Sequence, residues 1–67
     1  MPPDLAAALA MNRRAREVFE KFAPSRRRDY VEWITGARRP ETRERRVRQA
    51  VEWLAEGKSR NWKYERR

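Results

Sequence analysis

Proline and glycine fall at Pro2, Pro3, Pro24, Gly36, Pro40 and Gly57, and this punctuation limits what the chain can fold into more than any other feature. Proline lacks the amide proton that a helix interior needs and is tolerated in the first turn, whereas glycine readily takes the left-handed conformation that ends a helix. The chain is therefore cut into four segments, each short enough to be one helix, and a tail. No segment alternates apolar and polar residues as a half-buried strand would, and there is no internal repeat.

The first segment, residues 3–10, has Pro3 at a first helical position, Asp4 where a carboxylate favours the helix dipole, and Leu5 and Leu9 one turn apart. Alone, so short a helix is marginal. Asn12 can cap a second helix to Phe22, on which Ala15, Val18, Phe19 and Phe22 recur at i, i+3, i+4, i+7. Ser25 predicts the cap of a third helix from Arg26 to about Gly36, with Tyr30, Trp33, Ile34 and Ala37 on one face and Arg28, Glu32 and Thr35 opposite. Pro40 and Glu41 open the fourth and longest helix, which runs to Glu56 and stops at Gly57; its stripe is Val47, Ala50, Val51 and Leu54. Short connections at residues 23–25 and 37–39 make consecutive helices spatial neighbours.

The resulting expectation is an all-α fold. Residues 1–57 form a small compact bundle of three main helices plus a short N-terminal helix, and residues 58–67 form a basic C-terminal tail containing aromatics. A chain of 67 residues buries only about 60% of its unfolded surface, so its core is a single thin one. Tyr30, Trp33 and Trp53 are the large side chains expected to fill it, Trp53 from the edge of its stripe.

Composition removes most chemistry. The chain has no Cys and no His, so it has no disulfide, no thiolate metal site and none of the commonest general base. The carboxylate pairs Asp29/Glu32 and Glu52/Glu56 have helix-surface spacings with arginines near, and no phosphate-cradling glycine loop is present. The expectation is no enzyme activity, cofactor, metal or small-molecule substrate. The apolar run from Leu5 to Met11 is too short to span a membrane and lacks the basic flank of a signal peptide, which points to the cytoplasm.

The net charge of +8 is unevenly placed: +1 over residues 1–22, +3 over 23–39, 0 over 40–57 and +4 over 58–67. Arg26, Arg27 and Arg28 stand at a helix N-terminus, the wrong end of the dipole for cations. This suggests either a use or simple solubilisation. With Arg38, Arg39 and the tail they could contact phosphates nonspecifically. The tail interleaves Lys58, Arg60 and Lys63 with Trp62 and Tyr64, a pattern that suits base stacking, insertion at an anionic membrane surface, disorder, or docking of Trp62 back onto the helices.

The third and fourth helices imitate a helix-turn-helix, but the fourth carries four Arg and four Glu, with the arginines scattered round the wheel. Glu41/Arg45 and Glu44/Arg48 have the acid-before-base spacing of surface ion pairs. Arg43 lies in line with the apolar stripe and Arg46 flanks it beside Trp53. Arg43 therefore needs a partner, Asp29 or Glu32, or with Thr42 it forms an anion-binding notch at the helix N-terminus.

Several runs also resemble a known family: Pro3-Asp4-Leu5-Ala6-Ala7-Ala8-Leu9, Ala15 with Phe19, Pro24 through Ile34, and above all Ala37-Arg38-Arg39-Pro40-Glu41-Thr42-Arg43-Glu44-Arg45-Arg46-Val47. Their order and spacing over roughly residues 2–58 resemble the helical region of the bacteriocin-protection, YdeI or OmpD-associated (OmdA-like) family. The resemblance implies a bacterial protein linked to envelope stress and antimicrobial-peptide resistance. It carries over no catalytic residue and no cofactor, and family members commonly have a further domain ahead of this region. The function expected is that of a helical accessory or binding domain whose partner is a protein or a second copy. A nonspecific nucleic-acid-binding protein is the alternative.

Overall fold

A computed structural model describes residues 1–58, and among them every regular element is helical. The helices are α1 (Pro3–Ala10), α2 (Arg13–Lys21), α3 (Pro24–Thr35) and α4 (Pro40–Ala55). Proline occupies the first turn of α1, α3 and α4, where its missing amide proton would have had no helical partner anyway.

The expected boundaries hold within a residue or two, and the exceptions have local causes. The Asn12 side chain accepts a hydrogen bond from the Ala15 amide at 3.1 Å, capping α2. Ser25, by contrast, does not cap α3, because Pro24 already supplies a helical φ and the helix begins there, with Ala23 as an N-cap that has no side-chain bond. The end of α4 is a Schellman turn. The Gly57 amide donates to the Leu54 carbonyl at 2.9 Å and the Lys58 amide to the Trp53 carbonyl at 2.8 Å, with Gly57 at φ 81°.

The core is Leu5 and Leu9 of α1; Ala15, Val18 and Phe19 of α2; Tyr30 and Ile34 of α3; and Val47, Ala50 and Leu54 of α4. These are the apolar stripes of the sequence, with Phe22 and Val51 half-buried at their margins. α4 is the hub: it packs on all three other helices, most extensively on α2. The short link between α2 and α3 does not produce an interface of comparable extent. Both helices spend their apolar faces on α4 instead, so the expectation that all consecutive helices would be close neighbours is corrected here.

Tyr30 is fully buried, and Trp33 and Trp53 are mostly buried as expected, but they pack against the edge of the core without being fully enclosed. Tyr30 and Ile34 already fill the space facing α4, and a domain this small has no second layer to enclose an indole. The two rings instead stack on each other, with centroids 5.4 Å apart and planes inclined by 22°.

The surface ion pairs are likewise redistributed. Among the described residues, neither Glu41–Arg45 nor Glu44–Arg48 closes, whereas Arg13–Glu17 at 3.2 Å and Arg16–Glu20 at 3.8 Å do. Such exposed pairs gain little over hydration, so which of them form is weakly determined.

Candidate binding surface at the α3–α4 seam

The arginines of the fourth helix divide into those that hold the fold and those left on its surface. Arg43 reaches across to α1, where its Nε donates to Asp4 Oδ2 at 2.6 Å and its Nη2 to Asp4 Oδ1 at 3.3 Å. The partner is Asp4, not Asp29 or Glu32. An N-terminal carboxylate placed to favour the α1 dipole is also the counterion of the one guanidinium on the α4 apolar stripe. The hydrogen bond from Arg43 is the main cause holding the Asp4 carboxyl below its ordinary value, against a smaller opposing effect of burial; the same bond raises Arg43. With its guanidinium committed to a carboxylate, Arg43 does not form the anion-binding notch considered with Thr42.

Arg46 joins α4 to α3. Its Nη1 donates to the Trp33 carbonyl at 2.6 Å, and its guanidinium carbon lies 5.4 Å from the Trp33 ring centroid. A carbonyl in the last turn of a helix has no intrahelical donor, and the face of an indole attracts a cation, so one guanidinium satisfies both. The third inter-helix contact of this kind is made by Arg14, whose Nε donates to the Ala55 carbonyl at the end of α4 at 3.3 Å.

Around Arg46 the surface forms a groove of about 310 Å³ lined by Trp33, Thr42, Arg45, Arg46, Gln49 and Trp53. The two stacked indoles and the side chains of Thr42, Arg46 and Gln49 line it, and Arg45 is exposed. No carboxylate among the described residues lines it. A second groove, about 520 Å³, lies between Ala8 and Met11 at the end of α1 and Val51, Glu52, Ala55 and Glu56 of α4. Its apolar walls are small side chains, apart from Met11, which is 87% exposed. Tryptophan and arginine anchor interfaces far more often than alanine and valine do, and this chemistry singles out the seam.

Of the residues proposed from sequence, Thr42 and Arg46 meet in this groove, and Arg43 lies on the other side of α4, facing α1. Arg26, Arg27 and Arg28 are in the first turns of α3, whereas Arg38 and Arg39 follow its last residue. Lys58 lies against the middle of α3, where the Tyr30 hydroxyl donates to its carbonyl at 2.6 Å, and its Nζ pairs with Glu56 at 2.8 Å. Arg60, Trp62, Lys63 and Tyr64 lie outside the described residues.

Arg45, Gln49 and the two indoles as walls were not read from the sequence as a site. The available signal was position: Trp53 sits at the edge of its stripe.

Among the described residues no group of His, Cys, Asp and Glu could hold a metal ion, and no helix is long and apolar enough to cross a membrane. In comparison with known proteins, the model of the bacteriocin-protection, YdeI or OmpD-associated family matches residues 1–57. No curated protein and no solved structure matches the chain.

Proposed function

Because the chain belongs to the bacteriocin-protection, YdeI or OmpD-associated family, we propose that it is a small accessory domain that acts by binding a protein partner or a second copy rather than by catalysis. In this reading it works in the cytoplasm, in a response to envelope stress or antimicrobial peptides. The observation that carries the reading is the α3–α4 groove. It holds two large, partly exposed indoles, a guanidinium fixed against one of them and a second, exposed guanidinium. Partly exposed tryptophans next to arginine concentrate binding energy when a partner excludes water from them.

The test is a photo-reactive side chain introduced in place of Gln49, in the groove, and separately in place of Arg16, on the exposed face of α2. One discrete adduct from the first position alone, abolished by Arg45→Glu, is the expected result. Equal labelling from both positions, or none from Gln49, would remove the groove from consideration.

Nucleic-acid binding is the second reading, and one observation favours it. The Tyr30–Lys58 hydrogen bond seats the start of a segment carrying +4 against α3, the helix whose first turns hold Arg26, Arg27 and Arg28. Anisotropy of labelled DNA and RNA at about 50 and 200 mM salt decides it, because several phosphate contacts would weaken binding by orders of magnitude over that range. Salt-steep micromolar binding would favour this reading, and no binding at low salt would end it.

A further inference from the structure

The chemistry of the α3–α4 groove selects its partner. We infer that the groove takes an acidic segment of another protein, with an apolar anchor on the indoles and carboxylates on Arg45 and Arg46; this rests on the reading of the seam as the binding surface. Thr42, Arg45, Arg46, Gln49 and Trp53 recur at i, i+3, i+4, i+7 and i+11, so they share one face of α4 about 16 Å long. The face is graded along its length. Trp53, stacked on Trp33, stands toward its C-terminal end, and Arg45 lies about two helical turns nearer the N-terminal end.

Its polar groups are short of acceptors. Arg45 is exposed and makes no hydrogen bond or ion pair with any described residue. Arg46 donates one N–H to the Trp33 carbonyl and has others besides. Gln49 already gives its amide to Glu52 at 3.0 Å. Exposed Arg38 and Arg39 stand in the link that leads into α4, a few residues before Thr42. A carboxylate answers a guanidinium with short, charge-assisted and often paired hydrogen bonds, and no described carboxylate lines the groove to do so from within.

Two other occupants fit less well. A two-fold contact between copies would set this face against itself, arginines against arginines, on chains that each carry +8. Single-stranded nucleic acid stacks its bases on open aromatic rings, whereas Trp33 already has Trp53 stacked on it and the Arg46 guanidinium over it.

The test titrates the complete, isotope-labelled protein at about 50 mM salt, where screening is weak, with three synthetic helical peptides. They share the same leucines and carry glutamate, glutamine or lysine at the same polar positions. The glutamate peptide should move the Trp33 and Trp53 indole and Arg45 Nε NMR signals and bind about tenfold more tightly than the glutamine peptide, with no binding of the lysine peptide. Arg45→Glu, at an exposed position, should erase that preference and Arg45→Lys keep it, both with an unchanged circular dichroism spectrum. Equal binding of the glutamate and glutamine peptides, no movement of the indoles, movement of Ala8 and Met11 alone, or indole shifts that grow with protein concentration in the absence of peptide would overturn the inference. So would larger indole shifts from single-stranded DNA of the same charge. A Gln49 adduct in the photo-crosslinking, with no preference among the peptides, would leave the groove as a binding surface and remove only its acidic partner.

Discussion

Helix α4 meets α2 on one side and α3 on another, and the two contacts are built from different chemistry. Toward α2 the contact is dry and wholly apolar: Val18 and Phe19 pack in one cluster with Val47, Ala50 and Leu54, and all five are buried. Toward α3, Tyr30 and Ile34 are buried, but beside them two indoles and a guanidinium stay partly in water. The first contact removes apolar area from water, worth about 1.5–3 kcal/mol per large side chain. The second leaves its largest apolar groups partly exposed. A domain with so thin a core does so at some cost to its own stability, and the indoles gain most when something else covers them.

The comparison breaks most visibly on the α2 side. Phe19→Ala should cost about 3–5 kcal/mol, on the order of the whole stability of a domain this small. Urea titration followed by circular dichroism should find it largely unfolded. Trp53→Ala is expected to cost less, about 1–2 kcal/mol, because the ring is not fully enclosed. It should nevertheless abolish the adduct formed from Gln49 while the helical circular dichroism spectrum persists. If Trp53→Ala were as destabilising as Phe19→Ala, the contrast between the two faces would fail.

Gly57→Ala tests the turn that ends α4. The positive φ of Gly57 strains any residue with a Cβ even though the space around it is open, and the expected loss is about 1 kcal/mol in thermal or urea unfolding. A neutral result would mean that the chain leaves α4 by another route.

The smallest effect concerns α1, which is tied to α4 by an ion pair besides its leucines. The Asp4 carboxyl titrates below its unfolded value when folded, so its contribution is complete above the ordinary carboxylate range and is lost as pH falls through the lowered value. Both partners are about a third exposed, which keeps the effect modest. Asp4→Asn should therefore lower stability slightly at neutral pH and flatten its fall toward acid, measured as urea midpoints across pH. An unchanged acid slope would mean the pair does not couple α1 to pH.

Much of this architecture was legible in one dimension. Pro3 and Pro40 marked helix starts, Asn12 a cap and Gly57 a stop, because each acts on backbone within a few residues of itself. The stripe Ala15, Val18, Phe19 and Val47, Ala50, Leu54 named the buried faces, since helical period alone decides which residues share a side. Arg43 was recognisable as needing a partner, but not which one: Asp4 is 39 residues away, and only the packing of α1 on α4 brings them together. The same limit applied to the candidate site. Its walls come from α3 and α4, and neither helix shows by itself that Trp33 and Trp53 meet ring to ring.

The sequence by itself determined four helices, their order and the residues they bury, since propensity, capping and period are local and act before the chain is compact. Tertiary structure decided which helix is the hub, which carboxylate answers Arg43, and that the tryptophans stack on each other at the edge of the core. Those outcomes depend on competition for a limited volume, and Tyr30, Ile34 and Leu54 filled it first.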